Sequence, residues 1–93
     1  NCMSQKQEII KQLEAIWLKL KGDKENFENL LDSNDLSDEE KQDLKSSLEG
    51  ATMVYNAHVK NVAMNVKNNF YSWSDVDEVN KELSVEIEKV LQE

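Results

Sequence analysis

Apolar side chains recur at Leu44, Leu48, Ala51, Tyr55, Val59, Val62, Val66, Phe70 and Trp73, in steps of three and four sustained over thirty residues without a proline. That spacing fits one face of an α-helix and no β-strand, whose side chains alternate with period two. Gly50 is the only candidate interruption. The rest of the chain is also free of proline and rich in Leu, Glu, Lys and Gln, which favour helix, and it has no sustained two-residue alternation. The sequence therefore predicts an all-α protein: a small up-down helical bundle of three to four helices with one long central helix over about 38–71.

The flanking elements follow from local signals. Ile9, Leu13, Ile16, Leu20, Phe27 and Leu30 keep a helical spacing from a start near Ser4. Gly22 interrupts that run, and its ease in the left-handed conformation suits a helix end. We read helices over about 4–21 and 24–31. Asp32, Ser33, Asn34 and Asp35 bond readily to their own backbone and compete with helix, so this stretch is a loop. Directly after it, Ser37-Asp38-Glu39-Glu40 has the form of a capping box, with three acids set against the positive end of the helix dipole. Ser72 or Ser74 caps a last helix over about 75–91, with Val76, Val79, Leu83, Ile87 and Val90 on one face. Ninety-three residues suit a single domain, 1–93, whose bulky packing is expected from Trp17, Tyr55, Phe70 and Trp73.

Charge narrows the function. Eleven lysines, no arginine and nineteen acids leave a net charge of −8, which repels nucleic-acid phosphates and lacks the side chain best suited to grip them. Direct nucleic-acid binding is not expected. No apolar run approaches the ~20 residues of a membrane span, so no transmembrane segment is expected. The charge is uneven: residues 1–49 and 75–93 are each at −5, whereas residues 50–74 hold Lys60, Lys67 and no acid.

The residues of catalysis are sparse. His58 is the one side chain titrating near neutrality, and none of its helical neighbours at three and four residues is a carboxylate that could orient an imidazole. Cys2 and His58 fall short of a zinc ligand set. The acids around the 32–40 loop do not meet the EF-hand pattern, since the sixth place from Asp32 is Ser37 rather than glycine. Gly22 and Gly50 cannot build a phosphate loop. We expect no enzyme, no metal and no cofactor.

The second face of the central helix is the more informative surface. Met53, Ala57, Lys60, Met64, Lys67 and Tyr71 lie opposite the apolar run, with asparagines between the two stripes. A helix with two apolar faces touches two things. Either the second stripe packs on the first or last helix, or it is exposed as a contact for another protein or a second copy of the chain. Methionine adapts to irregular partners, lysine stems cover apolar surface, and tyrosine is an efficient anchor. The expectation is a non-catalytic protein-binding module, such as an inhibitor, immunity factor or adaptor, acting through Met53, Lys60, Met64, Lys67 and Tyr71.

Two alternatives come from other classes. The expected start is Met3, which makes the chain cytoplasmic; in the first alternative Cys2 is a lipidated first residue and the chain is a bacterial surface lipoprotein serving as an adhesin or exclusion factor. The acids of residues 32–43 could instead mimic nucleic-acid phosphates and occupy a DNA-binding protein. The Lys- and Asn-rich, Arg-free composition points to an AT-rich bacterial or phage genome.

Overall fold

A computed structural model describes residues 4–33 and 35–93 and contains four helices, with no strand among the described residues. They are α1 (Gln5–Leu31), α2 (Asp38–Lys67), α3 (Trp73–Val79) and α4 (Lys81–Leu91). The chain is a small all-α bundle. Each start is fixed by a side chain that satisfies free amide donors. Ser4, Ser37 and Ser72 each form a reciprocal capping box, with Gln7, Glu40 and Asp75 reaching back. Asn80 caps α4 through its Oδ1, which accepts from the amides of Glu82 and Leu83.

Three boundaries differ from expectation. α1 is one helix of 27 residues, not separate helices over 4–21 and 24–31. Gly22 has no positive φ and no neighbour that a side chain would meet, so the favourable residues around it carry the helix through. The long helix stops at Lys67 rather than near 71. Asn68 ends it, Asn69 takes the left-handed conformation at φ 64°, and the amides of Phe70 and Tyr71 both turn back to the carbonyl of Asn65. The 75–91 helix is two, because Asn80 adopts an extended conformation that closes α3 and opens α4.

α2 packs against both α1 and α4, and α3 bridges α1 and α4. The Gln7 amide donates to the Glu78 carboxylate where α1 begins against α3. Ile10, Leu13 and Leu20 of α1 meet Tyr55, Val59, Val62, Ala63 and Val66 of α2 and Val76, Leu83 and Ile87 of α3 and α4 in one apolar cluster. Of the expected aromatic packing, Tyr55 is buried and Trp17 half-buried, but Phe70 and Trp73 are 63% and 38% exposed. The stop at Lys67 explains this, since a periodicity that no longer runs along a helix no longer points its residues at the core.

α3 and α4 together are shorter than either long helix, so part of the α1–α2 hairpin has no third neighbour. Among the described residues none between Lys21 and Val54 is buried. The molecule is flat and extended as a result, 48 × 32 × 17 Å with a radius of gyration of 15.9 Å. A compact domain of this length has about 12 Å.

Candidate protein-contact face

The core sector of α2 is narrow. Tyr55, Val59, Val62, Ala63 and Val66 fall within roughly 100° of the helix circumference, and α1 and α4 both meet that sector. The rest of the helix is left to solvent. Met53 is 73% exposed and Met64 51% exposed, and Ala57, Lys60 and Lys67 are exposed beside them. Neither α1 nor α4 covers this stripe. Two unbranched thioether side chains in water are a surface with apolar area unspent on the fold.

Tyr71 is set apart from the other four residues. It follows the end of α2 and is half-buried against the core, in a groove shared with Ile9, Leu13, Ile16 and His58. Its distance from the stripe follows from the early end of the helix. His58 is exposed on the flank of α2, and among the described residues no three His, Cys, Asp or Glu side chains gather as a metal site. Cys2 and Met3, on which the lipoprotein and cytoplasmic alternatives turn, lie outside the described residues.

The electrostatics of the face are simple. Between Gly50 and Ser74 there is no acid, and among the described residues neither Lys60 nor Lys67 has a carboxylate within ion-pair reach. The ion pairs seen are Lys19–Asp23 at 3.0 Å and Lys89–Glu86 at 3.5 Å, both solvent-exposed within one helix. Two free cations thus flank Met64 on a chain of net charge −8.

The outer face also continues into the first half of α2, beyond the residues expected from the sequence. Glu39, Gln42, Ser46 and Glu49 extend the line of Met53 and are all exposed. They are polar, so hydropathy gives no signal for them; their helical register would have placed them.

A second feature lies where α1, α2 and α4 converge. The Tyr55 hydroxyl is buried and has no hydrogen-bond partner among the described residues. Burial, and next the negative charge of Glu86, push its pKa far above the ordinary tyrosine value. The groove beside it carries Lys21 and Lys24 on one wall and Glu82 and Glu86 on the other. The Lys21 ammonium stands 5.2 Å from the centre of the Trp17 ring, within cation–π range. A tyrosine held so firmly in its protonated form is no general base near neutral pH.

No helix among the described residues is long and apolar enough to cross a membrane. No protein-family model, curated protein or solved structure matches the chain.

Proposed function

We propose that the chain is a non-catalytic protein-binding module of the inhibitor, immunity-factor or adaptor kind, and that its contact is the outer face of α2 formed by Met53, Ala57, Lys60, Met64 and Lys67. Tyr71, half-buried against the core beyond the helix end, is not part of that face. The observation that carries the reading is the exposure of Met53 and Met64 on the longest acid-free stretch of an acidic chain. Exposed methionine offers conformable apolar area, and the two lysines add direction and register toward a carboxylate-bearing surface.

The test is capture of partners from the source cell by the wild-type chain and by Lys60→Glu combined with Met64→Ala. Both substituted side chains are solvent-exposed, so the variant keeps its helical circular dichroism. Loss of capture supports the reading, and unchanged capture by a folded variant refutes it. The nucleic-acid-mimic alternative predicts instead that capture falls steeply with salt and depends on the acids of residues 32–43.

A further inference from the structure

We propose that the protein met by this face is a second copy of the chain, laid antiparallel along α2 with a twofold axis at Met53, an inference that rests on the reading of the α2 outer face as a protein contact. The spacing of that face is the first reason. From Met53, steps of four, three, four and three reach Ala57, Lys60, Met64 and Lys67; the same steps backwards reach Glu49, Ser46, Gln42 and Glu39. All nine positions are exposed. They drift by about 20° per seven residues, which is the drift a left-handed helix pair crossing at about 20° absorbs. A line of side chains with the same spacing from either end superposes on a reversed copy of itself, as an isologous twofold contact requires.

Charge sets the direction. On this face the first half of α2 carries Glu39 and Glu49, and the second half carries Lys60 and Lys67. Reversal about Met53 brings Glu39 of one copy opposite Lys67 of the other, each lying fourteen residues from the axis. Glu49 then faces Ala57, one turn from Lys60. A parallel pairing would set each charge against its own kind. Near the axis the side chains are small: Gly50 and Ala57 flank Met53, and nothing within the chain approaches Gly50. The two Met53 thioethers therefore meet where the helices can come closest.

Area is the third reason. The accessible surface is 6734 Å², whereas a folded monomer of 10.8 kDa exposes about 5,500 Å². The excess is about 1,200 Å², and a stable dimer of standard size covers about 800 Å² on each partner. One such contact removes most of it.

The experiment uses the full chain with Cys2→Ser, so that introduced thiols are the only ones. Met53→Cys places two thiols across the proposed axis, and mild oxidation by oxidised glutathione should link the chains in pairs. Val54→Cys, exposed but off the line, and Lys67→Cys, far from its own symmetry mate, should stay unlinked over the same period. Equal linkage at all three positions, or none at Met53→Cys, overturns the arrangement. Sedimentation supplies the second arm: Glu39→Lys and Lys67→Glu should each weaken self-association about tenfold, and the two together should restore it. Failure of the double exchange to restore association overturns the proposed register. A wild-type chain that remains a monomer across the concentration series overturns the second copy. In that case, loss of heterologous capture by Lys60→Glu with Met64→Ala would leave the contact reading standing, and unchanged capture would remove both.

Discussion

Replacing Gly22 by alanine tests the continuity of α1. In the structure this position is helical with negative φ, and a methyl built on its backbone meets nothing within 4 Å. No clash opposes the substitution and no packing rewards it, which leaves the intrinsic helix preference of alanine over glycine, about 1 kcal/mol. For a domain of this size that corresponds to a rise in melting temperature of about 4–8 °C. The assay is thermal unfolding followed by circular dichroism at one fixed chain concentration, because the midpoint of any chain that associates depends on mass action. If helices over 4–21 and 24–31 were instead joined by a left-handed Gly22, alanine would be strained there and the midpoint would fall. A fall would refute the continuous helix and with it the long α1–α2 hairpin.

Further outcomes follow from burial, capping and charge. Leu83 is fully buried between the helices, so Leu83→Ala should lose about 2–5 kcal/mol in a urea titration, whereas Leu18→Ala on the open side of α1 should change stability by under about 0.5 kcal/mol. Tyr55→Phe removes a buried hydroxyl that has no partner among the described residues; stability should be unchanged or rise by about 1 kcal/mol, and a loss of that size would mean that the hydroxyl is satisfied in solution. Hydrogen bonds from the backbone amide and then the side chain of Ser37 hold the Glu40 carboxyl below its ordinary value of 4.5. Its contribution is therefore present above that value and lost as pH falls through the lower folded one, and Glu40→Gln should flatten the acid limb of a stability-against-pH series.

Much of the helical architecture was legible because it is written locally. Ser4 and Ser37 sit where their hydroxyls meet free amides, and the periodicity of α2 marks its core face without any knowledge of neighbours. The misses have a common cause, the short polar residues and glycine, whose conformation tertiary context decides. Asn80 divides the last helix although Val76, Val79, Leu83 and Ile87 keep their helical steps across it; the available signal was Asn80 itself, a favoured N-cap just before Lys81 and Glu82. The pair Asn68 and Asn69 ends α2 early by the same chemistry, which is why Phe70 and Trp73 lie open rather than in the core. For the candidate face, helical geometry separated the methionine stripe from the core stripe. It could not show whether α1 or α4 covered that stripe, and it carried Tyr71 along a helix that had already stopped. The acidic half of the candidate face stayed hidden because hydropathy does not register exposed polar side chains.

The claim that matters most is that α2 meets another protein through its outer face, and that this protein is a second copy. An isotope-filtered nuclear Overhauser spectrum on a mixture of methyl-labelled and unlabelled chains examines it directly, because only contacts between copies give signal. An antiparallel pair centred on Met53 gives cross-peaks from the Met53 methyl to Met53 and Gly50 of the unlabelled copy, and from the Met64 methyl to Gln42. Absence of intermolecular signal at both methionines, or signal confined to Phe27, Leu30 and Leu48 on the unshielded side of the hairpin, would contradict it.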